Sequence, residues 1–137
     1  LHKKIHLTFT SAKKMKEFHD DYVVIIENKH TPTITIPKNT KFKGLEKLLP
    51  ADEFIWIKTK RKIIKEGVEM HHCVATYANL VNKDDCAIYG FIKKNNNRRY
   101  TIEFKKNRNG YYIEQMQSMC NRGYAKEDYI YVQSLIV

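Results

Sequence analysis

The stretch from Cys86 to Gln117, CAIYGFIKKNNNRRYTIEFKKNRNGYYIEQMQ, decides the fold. Three segments in it suit strands: Cys86 to Ile92, Arg98 to Phe104, and Tyr111 to Gln117. They are rich in aromatic and β-branched residues, and Ile102 and Phe104 alternate with Thr101 and Glu103. Asn95-Asn96-Asn97 supplies the first turn. Asn109-Gly110 supplies the second and is the strongest short hairpin signal a sequence offers. Connections this short join only antiparallel neighbours, because a parallel pair needs a crossover. The spacing therefore predicts a three-stranded antiparallel meander.

Outward from the meander, Ala125 to Val137 reads as a closing helix with Tyr129, Val132 and Ile136 inward. Upstream, His71 to about Asn82 suits a helix, with Cys73, Tyr77 and Leu80 along one face at i, i+4 and i+7. Ile63 and Ile64 lead to Gly67, a natural helix stop. Glu53 to Ile57 is apolar and aromatic. Nearer the start, Ile5 to Phe9 alternates as a half-buried strand does, and Ser11 caps a helix running to about Asp20 with Met15 and Phe18 inward. Tyr22 to Ile26 is a continuous apolar run suited to a strand buried on both faces. Thr33 to Ile36, fenced by Pro32 and Pro37, reads as an edge strand. Asn39 or Thr40 caps a short helix carrying Phe42, Leu45, Leu48 and Leu49, closed by Pro50. The expected class is α+β: a helix packed on a three-stranded meander over residues 53–137, with an N-terminal strand-helix-strand unit over 1–52, either separate or part of the same domain.

The 137 residues suit one domain, and 42% hydrophobic residues, with nine Tyr and six Phe, exclude a disordered chain. No apolar run approaches the roughly 20 residues of a membrane span, and Leu1-His2-Lys3-Lys4 does not open a signal peptide. The chain starts without Met and reads as a fragment of a longer protein. Three cysteines cannot all pair, and none forms C-x-x-C, which points to a reducing cytoplasm. With 25 Lys and Arg against 15 Asp and Glu, the net charge is +10, and the expected partner is a polyanion, nucleic acid first. Lys58, Lys60, Arg61 and Lys62 cluster in one run, and Arg98 and Arg99 flank the meander turn; these are the expected phosphate contacts.

His71-His72-Cys73 is the densest group of reactive side chains. A thiol near an imidazole and a helix N-terminus is activated as a nucleophile, whereas a Cys packed under Tyr77 is a small apolar residue. The spacing of His and Cys matches no structural zinc pattern, and no metal is expected. Glu103 and Gln115 fall on predicted strands where both can share one face of the sheet. Asn121 follows the third strand, where its side chain can bond its own turn.

Residues 66–77, EGVEMHHCVATY, resemble the PcfJ-like family through Glu66, Gly67, Met70, His72, Cys73, Val74 and Tyr77. The likeness continues through Cys86 to Tyr89, Tyr100 to Glu103, Ile113, Gln115 and Asn121, and covers about residues 53–137. Ser118 departs from a Gly in the family's pattern; if that Gly supports φ > 0 or close approach of a ligand, Ser118 impairs the loop. The resemblance singles out His72, Cys73, Tyr77, Glu103, Gln115 and Asn121 as a catalytic set, with no cofactor implied. It also implies a bacterial mobile-element setting, plasmid conjugation included, with protein partners from such a complex. Two functions follow. One is a nucleic-acid-binding domain accessory to plasmid DNA processing or transfer; the other is a small hydrolase or nuclease centred on His72 and Cys73. Convergence of the polar set in a cleft favours the enzyme, and a continuous basic face with those residues dispersed favours the binding domain.

Overall fold

The computed structural model describes residues 11–72 and 75–137. The three meander segments form β2 (Ala87–Ile92), β3 (Arg99–Asn107) and β4 (Gly110–Gln117). A fourth strand, β1 (Phe54–Trp56), extends the expected three-stranded sheet, pairing antiparallel with β2 in the order β1-β2-β3-β4. The second hairpin closes at Asn107 and Gly110. Gly110 has φ +123°, which a side chain would strain, and Asn109 N–H donates to the Asn107 side chain at 2.8 Å. Glu103 faces Gln115 while Phe104 faces Ile113, so Glu114 is an extra residue on β4. That bulge returns Ile113 and Tyr111 to the face already held by Met116, which strict alternation would forbid.

One face of the sheet is apolar. Phe54, Trp56, Tyr89, Phe91, Ile102 and Phe104 pack there against Val132 and Ile136 of the closing helix α5 (Lys126–Ile136). Phe42, Leu45 and Leu49 complete this layer around the single turn of α2 (Leu45–Leu48), and Phe54 stacks on Phe91 at 4.4 Å. Leu48, on the same turn, is exposed. Behind the other face lie α3 (Lys60–Met70) and α4 (Ala75–Asn82), where Ile63, Ala78 and Val81 cover Ile57, Cys86 and Ile88. Ile34 belongs to this second layer, and Ile36 packs on both.

The N-terminal strand-helix-strand expectation is corrected. Ser11 does cap a helix, accepting from Lys14 N–H at 3.2 Å, but α1 (Ala12–His30) runs straight through Tyr22 to Ile26. Once nucleated, a helix adds residues cheaply, and no Gly or Pro interrupts this one. Val24 and Ile25 are exposed rather than buried on two faces. Met15 and Phe18, read as inward, are exposed as well. Thr33 to Ile36 is extended but pairs with no strand among the described residues; the Asn82 side chain bonds it, accepting from Thr35 N–H and donating to Thr33 O, both at 2.8 Å. The expected strand at Ile5 to Phe9 lies outside the described residues.

Two helix boundaries also differ. Gly67 does not end α3, which continues to Met70. The stop is His71, left-handed at φ 54° and ψ 49°, with its N–H and that of His72 both donating to Gly67 O. The helix expected from His71 therefore begins only at Ala75, and His71 and His72 occupy the junction between α3 and α4.

Candidate functional site

The face of the sheet behind α3 and α4 carries polar residues where the opposite face carries aromatics. Register places Thr101 opposite Gln117 and Glu103 opposite Gln115, so the period of two in β3 puts Arg99, Thr101 and Glu103 on this side. Glu66, from the middle of α3, is 5% exposed and holds two of its neighbours. One carboxylate oxygen accepts from Arg99 Nη2 and the other from the Thr101 hydroxyl. Gly90, across from Thr101, leaves room for this pairing: a Cβ there would stand 3.2 Å from Arg99 Nη1.

His72 enters from the α3–α4 junction, its Nε2 3.2 Å from Thr101 Oγ1. The Thr101 hydroxyl has one proton and gives it to Glu66, so Nε2–H donates to Thr101 and the basic lone pair of a neutral His72 sits on Nδ1. The ring of His72 meets Tyr77 edge-on at 6.4 Å, and Tyr77 donates its hydroxyl proton to Gln115 Oε1 at 2.6 Å. Four of the expected residues, His72, Tyr77, Glu103 and Gln115, thus gather between α4 and the sheet.

Burial pushes the Glu103 carboxyl above its ordinary value, against the opposing pull of Lys105. The Cys86 thiol beside it is pushed up to about 12, chiefly by burial, so it is a poor nucleophile. Glu103 therefore binds a proton more readily in the folded chain than in the unfolded one, and its ionisation opposes folding as pH rises through the folded pKa. We expect Glu103→Gln to raise the thermal midpoint at pH 7, with the difference closing as pH falls toward 4. A variant less stable than wild type at pH 7 contradicts this.

Asn121 stands apart. It lies in the 3₁₀ turn Met119–Asn121 after β4, exposed and left-handed at φ 56°, with its N–H donating to Ser118 O at 3.1 Å. Ser118 itself has φ −84°, which any residue adopts, so its backbone does not require the Gly of the family pattern. Cys73 lies outside the described residues.

The expected phosphate contacts divide into two groups. Arg98 bonds Asp128 and Glu127, Arg99 bonds Glu66, and Lys58 lies 3.7 Å from Glu46 and 5.1 Å from the Trp56 ring. Lys60, Arg61 and Lys62, in the first turn of α3, have no carboxylate partner among the described residues, and Arg61 and Lys62 are exposed. Sequence reasoning matched Glu66 to a family motif without placing it in the site, and it passed over Thr101. The i, i+2 spacing of Arg99, Thr101 and Glu103 was the available signal. Among the described residues, no group of three or more His, Cys, Asp or Glu is placed to hold a metal ion, and no helix is long and apolar enough to cross a membrane.

A family model described as PcfJ-like protein matches residues 1–132, and so extends over the first fifty residues, where the sequence offered no resemblance. No curated protein matches the chain. No solved structure matches it either.

Proposed function

Because the chain belongs to the PcfJ-like family, we propose that it acts on nucleic acid in a bacterial mobile-element setting, as a small hydrolase in which His72 moves the proton. The observation that carries this reading is the chain of contacts from His72 through Thr101 and Glu66 to Arg99. Arg99 orients the carboxylate, the carboxylate orients the hydroxyl, and the hydroxyl holds the imidazole in the tautomer whose Nδ1 accepts a proton. Nδ1 is buried in this structure, so phosphodiester hydrolysis requires the substrate to open a path to it; Nδ1 then takes a proton from the attacking water as its oxygen bonds to phosphorus, and passes it to the leaving oxygen as that bond breaks. Thr101, Glu66 and Arg99 are positioning residues in this scheme, and the +10 charge draws in the polyanion. The cytoplasm is the compartment that agrees with nucleic acid as substrate and with cysteine usage.

The test is hydrolysis of labelled single- and double-stranded DNA and RNA. We expect His72→Ala to lower the rate by about 10²–10⁴-fold, the usual worth of a positioned acid–base group, while binding persists. Wild type that binds these substrates and cleaves none of them removes the hydrolase and leaves a second reading. That reading is a binding domain accessory to plasmid DNA processing or transfer. Its supporting observation is the run Lys60, Arg61 and Lys62 at the start of α3, which has no carboxylate partner among the described residues.

A further inference from the structure

The loop after β4, the start of α5 and the first residues of β3 enclose an open cavity of about 450 Å³. Arg98, Arg99 and Arg122 line it, and none of its nine lining residues is Asp or Glu. The carboxylates that orient two of these arginines are not among the lining residues. Arg98 gives Nε to Asp128 at 2.6 Å and Nη2 to Glu127, so its Nη1 hydrogens have no partner among the described residues. Arg99 is held through Nη2 by Glu66 and gives one Nη1 hydrogen to Tyr100 O at 2.6 Å. Arg122 is exposed and has no carboxylate partner among the described residues.

The loop that carries Arg122 is pinned at both ends. Ser118 N–H donates to Gly123 O, and Gly123 N–H to the Gln117 side chain, each at 2.9 Å. Gly123 has φ +87°, which favours glycine at that position. Tyr124, also in the lining, is half exposed and its ring is braced by stacking on Tyr129 at 4.8 Å. Pre-oriented guanidinium groups suit a phosphate, whose oxygens accept paired N–H bonds. A braced, half-exposed ring suits a planar base, since every base has a face to stack.

We propose that this cavity binds one nucleotide unit of a single-stranded nucleic acid, its phosphate on Arg122 with Arg98 and Arg99 and its base on Tyr124. The proposal rests on the nucleic-acid reading above and adds the strand form and the place where it is held. Arg99 joins this cavity to the His72 network, because its guanidinium bonds Glu66 and also lines the cavity.

The experiment is fluorescence anisotropy of a labelled short oligothymidylate with the full chain, across a salt series. Arg122→Ala is expected to weaken binding about tenfold and to flatten the plot of log affinity against log salt by about 0.7, the share of one lost phosphate contact on a single strand. Tyr124→Ala is expected to weaken it about tenfold, whereas Tyr124→Phe, which keeps the ring, binds as wild type. Thermal midpoints close to wild type certify that the surface variants fold. Unchanged binding in both Arg122→Ala and Tyr124→Ala overturns the cavity while the His72 reading stands. A loss with Arg122→Ala alone overturns the nucleotide and leaves an anion site. Wild type that binds no oligothymidylate at low salt overturns the cavity proposal; binding of duplex alone then keeps the broader reading, and binding of no nucleic acid removes both.

Discussion

Asp128→Ala is expected to destabilise the protein by about 3 kcal/mol, at the low end of the range for removing one partner of a buried ion pair. Asp128 is 1% exposed in the first turn of α5, and four side-chain donors on three residues converge on it. Arg98 Nε donates at 2.6 Å and Arg98 Nη2 at 3.3 Å, the Tyr100 hydroxyl at 2.5 Å, and Asn96 Nδ2 at 3.2 Å. Tyr100 in turn accepts from Ala125 N–H, so the carboxylate ties the turn before β3 and the strand itself to the start of α5. Removing it strands a buried phenol and cuts the attachment of the helix that covers the apolar face. The Arg98 side chain is 40% exposed, so its released charge turns to water, and for this reason the low end of the range applies. In a chain of this size such a loss lowers the thermal midpoint by roughly 10 °C.

The pH dependence carries a definite sign. Burial alone would raise the Asp128 carboxyl, but the bonds from Arg98, Tyr100 and Asn96 outweigh it and hold the pKa below the ordinary value. A carboxyl depressed on folding stabilises the protein above its unfolded pKa, about 4, and this contribution is lost as pH falls through the folded value. The gap in stability between wild type and Asp128→Ala should therefore narrow in acid. Glu103, raised on folding, shifts stability the opposite way over its own range. Urea unfolding at pH 7 and pH 3 measures both; a gap for Asp128→Ala that is absent at pH 7, or equal at the two pH values, refutes the assignment.

Glu66→Gln is expected to cost about 2–3 kcal/mol, because it removes the closer counter-charge of the partly buried Arg99 and leaves it only Glu69, at 3.9 Å, while preserving side-chain volume. A buried charge without a partner costs more than the pair is worth, so removing both should recover part of the loss. The double variant Glu66→Gln with Arg99→Met should thus be more stable than Glu66→Gln alone, a coupling that a double-mutant cycle in urea reads directly. Additive losses from the two substitutions would mean that Glu66 and Arg99 do not depend on each other, and the positioning role of Arg99 would go with them.

The meander was legible because its signals are local. Asn109-Gly110 closes the second hairpin, and the strand segments match to within a few residues. β1 was harder to see: three residues carry almost no periodicity, and the strand is held by Phe54 and Trp56 stacking on Phe91 and Tyr89 of β2. Tyr22 to Ile26 has strand composition yet is helical, since an apolar run takes its conformation from the segment that nucleates it and from available partners. His71 was read as a helix start and is a helix stop. Its left-handed backbone, which non-glycine residues seldom adopt, leaves no mark in the pattern of apolar residues.

By itself the sequence determined the α+β class, the antiparallel order of β2, β3 and β4, the closing helix, and the family through its spaced motifs, since each of these depends on neighbours or on order along the chain. Only the tertiary structure decided which charges are available. Arg98, Arg99, Lys60, Arg61 and Lys62 are alike as letters, yet the first two are held by Asp128 and Glu66, which lie some thirty positions away, and the last three have no carboxylate partner among the described residues. It also decided that Glu66, Thr101 and His72 meet. Hydrogen bonds between α3, the junction after it and β3 depend on where the packing of Ile63, Ala78 and Val81 sets those elements against the sheet, and no spacing along the chain encodes that distance.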